Sequence, residues 1–297
     1  MNANTKTVLF YSFKGGVGRT QLMLNSAKYL ASKGKNILMV DFDIHAPGLS
    51  YWDDTYDLKA EGEDYLLNYI IKYFSGEEDT NKLCVRKISD NLSLVPIYDM
   101  TNIRPYHELL VKFSQFSYDL NSKLKEKISE NMTLSDAIFD AIKDKLLETG
   151  QYDYIFFDSR TGFTEIGDIL FSTEVDLKIL VSAYNKQNIK GINSVLDLIN
   201  DESAKKKHNI IRVLSLKPKD SDNKIEQLKS EANLDDNKEL KNAFNWKGIM
   251  EIDYASVIVT NDFTVWEREE DNDLYKKQVI DISNQIDRTL IGEKIEL

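Results

Sequence analysis

Tyr11-Ser12-Phe13-Lys14-Gly15-Gly16-Val17-Gly18-Arg19-Thr20-Gln21 is the stretch that decides the fold. It follows the apolar run Thr7-Val8-Leu9-Phe10 and runs into a helical pattern from Leu22 to Leu30. The order is strand, glycine-rich loop, helix. Such a loop turns successive backbone N–H groups, and the positive end of a helix dipole, toward an anion. Gly15, Gly16 and Gly18 let the backbone curl around a phosphate with no Cβ in the way. Thr20 falls in the first helical turn, where a hydroxyl reaches a magnesium ion held by phosphates. A βα turn without a ligand is the plainer reading, but this loop does not stand alone.

The order Lys14-Gly-Gly-x-Gly-Arg19-Thr20 resembles the deviant Walker A loop of the ParA/MinD family of P-loop ATPases, whose pattern is Lys-Gly-Gly-x-Gly-Lys-Thr/Ser. The resemblance implies that Gly15, Gly16, Val17, Gly18, Arg19, Thr20 and Gln21 surround the phosphates of ATP. It also implies that Lys14, at the family's signature lysine, reaches the partner's phosphates in a homodimer sandwiching ATP. Arg19 departs from the pattern by occupying the P-loop lysine position. Arginine keeps the charge and adds a planar fork of donors, but it does not replace a compact ammonium like for like. Phosphate binding with slow hydrolysis is the expectation.

Asn36-Ile-Leu-Met-Val-Asp41 reads as the second strand, closing a βαβ unit after the helix Thr20 to Lys33 that Gly34 ends. It runs into Asp41-Phe-Asp43-Ile-His45-Ala-Pro-Gly-Leu-Ser50. The ParA/MinD family carries Asp-x-Asp here. Carried over, Asp43 orients the attacking water and Asp41 helps organise the magnesium shell. A carboxylate beside the γ-phosphate suits that work, because phosphoryl transfer is mostly positioning and charge stabilisation. Two turn-forming aspartates are the alternative. His45 reads as a loop residue.

Tyr152-Asp-Tyr-Ile-Phe-Phe-Asp158 is another apolar strand ending in an acid, followed by Ser159-Arg160-Thr161-Gly162. This resembles the family's Walker B strand and its Asp-x-x-x-Gly switch. Asp158 would then hold Mg2+ through water, and the Gly162 N–H would sense a γ-phosphate, with Thr164 to Phe171 moving in response. Arg160 is an extra cation that meets either phosphate or an acid across a dimer.

Further strands are expected at Thr7–Ser12, Asn91–Ile97, Asp176–Ser182, Asn209–Ser215 and Gly248–Asp253. Helices are expected at Asn188–Ile199, through Ser221–Phe244, and at Asp273–Leu290, whose apolar face docks on the sheet. In the family, the loop after the Asn209–Ser215 strand contributes to the base pocket. Here that loop is Leu216-Lys-Pro218-Lys-Asp220, which makes Pro218 the candidate base contact.

Residues 51–150 are less family-like. Asp64–Phe74, His107–Leu120 and Thr133–Thr149 read as helices, the last opened by the cap Thr133-x-x-Asp136. Gly76–Thr80 reads as an acidic turn, and Asn121–Asn131 is mainly charged. The region is taken as a helical elaboration within one P-loop ATPase domain spanning 1–297, and as the surface for an unidentified protein partner. Its aromatics (Tyr69, Tyr73, Phe74, Phe113, Phe116, Tyr118) are assigned first to core. The fold class is α/β, a mostly parallel sheet flanked by helices.

With 297 residues and 42% hydrophobic content, the chain can bury a full α/β core. No apolar run approaches the ~20 residues of a membrane span. Met1-Asn-Ala-Asn-Thr-Lys6 does not read as a signal peptide. The single cysteine, Cys84, rules out an internal disulfide and fits a cytoplasmic location, and three scattered histidines give no zinc constellation. A formal net charge of −11 weighs against DNA as the partner. The non-basic final helix weighs against a membrane. Lys205-Lys-Lys-His208 with Arg212, Lys217 and Lys219 is a local basic exception, read first as a solvated face.

Three readings follow. The first is an ATP-hydrolysing switch using Mg2+, in which ATP-dependent homodimerisation controls a partner, as in bacterial regulatory or conflict systems. The second is a nucleotide-binding scaffold that turns over poorly and recruits through residues 51–150. The third and most remote is a bacterial tyrosine kinase, which shares this motif set. Against it, the 15 tyrosines form no terminal cluster.

Overall fold

The computed structural model describes residues 5–51, 59–77, 79–101, 103–123, 133–164, 167–200, 207–218, 223–234, 238–253, 266 and 273–292. Among the described residues, eight strands form one sheet: β1 (Lys6–Ser12), β2 (Ile37–Phe42), β3 (Arg86–Ser89), β4 (Leu92–Val95), β5 (Tyr154–Ser159), β6 (Leu177–Ala183), β7 (Asn209–Lys217) and β8 (Asn245–Asp253). Their order across the sheet is β3-β4-β2-β5-β1-β6-β7-β8. Every neighbouring pair is parallel except β3 with β4. Parallel strands buried on both faces need apolar side chains at consecutive positions. Val8-Leu9-Phe10-Tyr11 and Ile155-Phe156-Phe157 meet that need, each fully buried.

The strand period of two divides those runs between two cores. Leu9, Tyr11, Leu38, Val40, Ile155 and Phe157 enter one; Val8, Phe10, Met39 and Phe156 enter the other. The first core is covered by helices α2 (Leu66–Ser75), α3 (Ile103–Lys123), α4 (Leu134–Leu147) and α5 (Lys186–Ile199). The second is covered by α1 (Arg19–Ser32) and the final helix α8 (Asp273–Ile291). Each Phe or Leu so buried contributes roughly 1.5–3 kcal/mol over exposure. Two shorter helices, α6 (Asn223–Ala232) and α7 (Lys238–Ala243), lead into β8. Residues 221–244, expected as one helical stretch, are therefore interrupted.

Lys178 and Arg212 are among the charged side chains buried inside this frame. Lys178 on β6 donates to the Ser172 and Val175 carbonyls at 2.9 and 3.3 Å. Arg212 on β7, fully buried, donates to Asn193 Oδ1 at 2.7 Å and to the carbonyls of Ala232 and Ile189. Burial pushes the Arg212 guanidinium down to about 9. Arg212 thus fastens α5 and α6 to β7 and does not belong to a basic surface. His208 is buried too, and Lys217 pairs with Glu251 at 3.1 Å. Lys207 donates to the Asn242 carbonyl, and the other lysines of that run, 205, 206 and 219, lie outside the described residues.

Region 51–150 is less purely helical than expected. It adds two strands to the sheet, and β3 is absent from the sequence reading. Arg86 to Ser89 and Leu92 to Val95 flank Asp90-Asn91, a two-residue hairpin connection that carries the turn residues such hairpins favour. Tyr69, Phe74 and Phe113 are core residues, with Tyr73 packed beside them. The side chains of Phe116 and Tyr118 lie outside the described residues, as does most of Asn121–Asn131. α4 opens on the expected cap, Thr133 Oγ1 accepting from the Asp136 N–H at 3.1 Å. In α8, Val279, Ile282 and Ile286 are fully buried, but Leu274 is 58% exposed and leaves the docking face.

Candidate functional site

β1, β2 and β5 end together. The register pairs Asp41 with Asp158 across β2 and β5, and Phe10 with Asp158 across β1 and β5. The three sequence motifs therefore converge at the carboxyl edge of the sheet, beside the strand where chain direction across the sheet reverses. Open α/β sheets place ligands at such an edge.

The loop Phe13 to Gly18 rises from β1 and turns into α1. Gly16 and Gly18 have φ of 75° and 79°, a left-handed backbone that only glycine adopts without strain. Gly18 is the N-cap of α1, and among the described residues no side chain caps the helix. The first N–H groups of α1 and its dipole thus face the loop. The loop is braced from three sides. Ser215 at the end of β7 donates its hydroxyl to the Val17 carbonyl at 2.7 Å. The Phe13 ring lies against Gly191 of α5, where an added Cβ would be 2.0 Å from Phe13 Cδ1. Phe13 also meets Phe163 edge-on at 5.6 Å, bringing the segment after β5 onto the loop. Gly162, with φ of 74°, lies on that segment.

Arg19 and Thr20 both turn onto Asp158. Arg19 Nε donates to Asp158 Oδ1 at 2.7 Å, and the Thr20 hydroxyl donates to Oδ2 at 2.7 Å. Arg19 also places a terminal nitrogen 3.6 Å from Asp43 Oδ2. Burial alone would lower the Arg19 pKa, but the charge of Asp158 and its hydrogen bond outweigh burial and hold it above the ordinary value.

Asp41 and Asp43 differ in setting. Asp41 is fully buried, and its oxygens accept from the Ser50 N–H and hydroxyl and from the Asp43 N–H. Burial, with the Asp158 charge adding to it, pushes the Asp41 carboxyl up to about 7 against the Ser50 bonds. Asp43 accepts from the Ala46 N–H at 3.2 Å. Burial raises its pKa too, while Arg19 pulls the other way.

The other expected residues are spread around this centre. Lys14 is exposed and donates to Gln187 Oε1 at 3.1 Å, at the start of α5. The Gln21 carbonyl accepts from the Asn25 amide at 2.8 Å. Pro218 is exposed just past β7, two residues after Leu216, whose φ of 57° is strained for a leucine. His45 is exposed in the loop after β2.

Sequence reading missed the residues that hold this loop. Tyr106 of α3 donates its hydroxyl to the Ile44 carbonyl. Arg86 of β3 donates to the Ser50 carbonyl at 2.9 Å. Both come from distant sequence; the Asp90-Asn91 turn is the one local signal for the strand that carries Arg86.

Among the described residues, no three His, Cys, Asp or Glu side chains converge as a protein-only metal cage. A magnesium ion on nucleotide phosphates needs only one or two protein oxygens, since phosphates and water supply the rest. The Thr20 hydroxyl and Asp158 carboxylate, hard oxygen donors side by side at the loop, fit that demand. Also among the described residues, no helix is long and apolar enough to cross a membrane.

A family profile described as AAA domain (AAA_31) matches residues 5–212. The uncharacterized protein BBD21 of Borreliella burgdorferi is 33% identical over 138 residues, 46% of this chain and 50% of that protein. The chain thus matches about half the length of that curated relative. Among solved structures, apo McdA of Cyanthece shares 14% identity at a TM-score of 0.65, covering 95% of this chain and 99% of that one. A putative plasmid partition protein of Borrelia burgdorferi B31 bound to AMPPNP shares 16% at 0.60, covering 98% and 100%. At these identities the structural likeness is one of fold.

Proposed function

Because the chain belongs to the AAA_31 family of AAA domains and has the fold of ParA/MinD-type P-loop ATPases, we propose that it binds and hydrolyses ATP as a switch. In this reading two copies pack around ATP and the paired state engages a protein partner. The observation that carries the reading is the loop itself: glycines at left-handed φ open α1, and Thr20 sits 2.7 Å from Asp158. The AMPPNP bound to the similar partition protein supports the choice of nucleotide.

In this account the backbone N–H groups of residues 15–20 and the α1 dipole hold the phosphates. Thr20 and Asp158 would hold Mg2+, with Asp41 helping to organise its shell; the ion would neutralise charge on the phosphate oxygens. Asp43 orients a water in line with the γ-phosphate. The water oxygen bonds to phosphorus, the bond to the β-phosphate bridging oxygen breaks, and ADP leaves with that electron pair. The raised pKa of Asp43 brings it closer to accepting the water proton. Lys14 is one of the exposed residues of the loop and, in this reading, reaches phosphates of the second copy. Residues 51–150 supply the partner surface, with Ile103 and Val111 of α3 both about half exposed.

A slowly hydrolysing scaffold is the second reading, favoured by the Arg19 guanidinium being engaged by two carboxylates. Size-exclusion chromatography with light scattering, with and without Mg-ATP, separates the two. The switch predicts dimers that accumulate in Asp43→Ala and dissolve in the parent. An oligomeric state indifferent to nucleotide contradicts it.

A further inference from the structure

Arg19 has two uses that exclude each other. Its guanidinium, 8% exposed, is committed to carboxylates: Nε to Asp158 Oδ1 at 2.7 Å and a terminal nitrogen 3.6 Å from Asp43 Oδ2. A third nitrogen lies 3.5 Å from the Ser12 hydroxyl. Yet Arg19 stands where a P-loop presents its cation to phosphate. A guanidinium is a rigid plane whose donors turn together. Turning it toward a triphosphate withdraws it from Asp158.

Asp158 is the other half of the conflict. The residue is fully buried, and each of its oxygens already has a donor, Arg19 on one and Thr20 on the other. Because Asp158 is fully buried, a cation reaches its oxygens only if a group covering them moves aside, and Arg19 is bonded there. The charges agree with this exchange. Asp41, Asp43 and Asp158 crowd one edge, and Arg19 is the cation bonded among them. If Arg19 leaves for a phosphate, these carboxylates lose its charge, which a divalent cation would replace.

We propose that Arg19 is a positioning residue that partitions between Asp158 and a nucleoside triphosphate, so that Asp158 becomes available to a divalent cation only when the triphosphate draws Arg19 away. The inference rests on the nucleotide reading above and adds an order to it: triphosphate first, cation second. A lysine, a single point charge on a flexible stem, would not span Asp158 and Asp43 with separate donors of one rigid plane.

By reciprocity, Asp158 taxes the binding of metal-free ATP by competing for Arg19. The test is a double-mutant cycle on a fluorescent ATP analogue in excess EDTA, using the parent, Asp158→Asn, Arg19→Gln and the double variant. Asp158→Asn should bind the metal-free analogue about tenfold tighter than the parent, from a weakened charge-assisted bond. The same change in the Arg19→Gln background should gain little. Equal tightening in both backgrounds would mean general charge repulsion and would overturn the proposal, as would no tightening at all. A parent that binds no analogue, with or without Mg2+, would overturn the nucleotide reading and the inference with it.

A second measurement needs no substitution. The NMR signal of the Arg19 Nε–H should shift when metal-free ATP saturates the parent and stay in place when Mg2+ alone is added. An Nε–H signal unmoved by saturating ATP would overturn the proposal even if the variants fail to fold.

Discussion

Ser50 grips Asp41 with both of its donors: its backbone N–H and its hydroxyl each lie 2.7 Å from Asp41 Oδ2. The same hydroxyl accepts from the Ile97 N–H at 3.1 Å, and the Ser50 carbonyl accepts from Arg86 at 2.9 Å. One serine therefore ties the end of β2 to β3 and to the chain leaving β4. Ser50→Ala removes a buried donor from a carboxylate and a buried acceptor from Ile97. The expected loss is about 1–3 kcal/mol. It is read as a lower urea midpoint with an unchanged slope.

Asp41 itself should leave a signature in the pH dependence of stability. Its ordinary pKa of 3.8 is raised to about 7 in the fold, by burial first and by Asp158 second. Between those values the folded chain keeps a proton that the unfolded chain has released. This group therefore subtracts stability progressively from about pH 4 to about pH 7, by on the order of 1.4 kcal/mol for each step of one in pH. Asp41→Asn removes the titration. Its stability relative to the parent should rise between pH 4 and pH 8 in urea melts, and a flat difference would refute the assignment.

Tyr106 connects α3 to the loop that carries Asp43, through its hydroxyl on the Ile44 carbonyl. Tyr106→Phe keeps the ring in the core and leaves that buried carbonyl without its donor, at a cost of about 1–2 kcal/mol. If the loop sets the angle of Asp43, ATP turnover should fall several-fold in kcat while KM holds. Steady-state kinetics at fixed Mg2+ make the distinction, because a purely structural tyrosine would leave kcat per folded molecule unchanged.

Much of this centre was legible in the sequence because its chemistry is local. Lys14 to Thr20, Asp41 with Asp43, and Asp158 each stand at the end of a short apolar run. A strand ending in an acid or a glycine loop announces itself within ten residues. What stayed hidden was held by distance. Arg86 reaches Ser50, and Tyr106 reaches Ile44, only because β3 and α3 come back to the loop after β2, and no local period encodes that. Arg212 was misread for a related reason. Within a basic stretch its charge looks like surface, and only the carbonyls of Ile189 and Ala232 reveal a buried fastener.

Gly191 is the point where α5 yields to the loop. An added Cβ would lie 2.0 Å from Phe13 Cδ1 and 2.2 Å from Cγ, too near the base of the ring for a simple swing to relieve. Gly191→Ala should destabilise by about 1–3 kcal/mol through overpacking. It should also weaken binding of a fluorescent ATP analogue, since Phe13 adjoins Lys14. A fully stable variant with unchanged affinity would show that the loop does not depend on this contact.

Hydrolysis in the proposed switch is by a water that Asp43 orients. Phosphate release from Mg-ATP, followed for the parent and for Asp43→Ala alongside binding of a fluorescent ATP analogue, tests it most directly. The parent should release phosphate slowly and steadily, Asp43→Ala should lose release, and both should retain analogue binding. Equal release by the two proteins, or none by the parent despite tight binding, would contradict it.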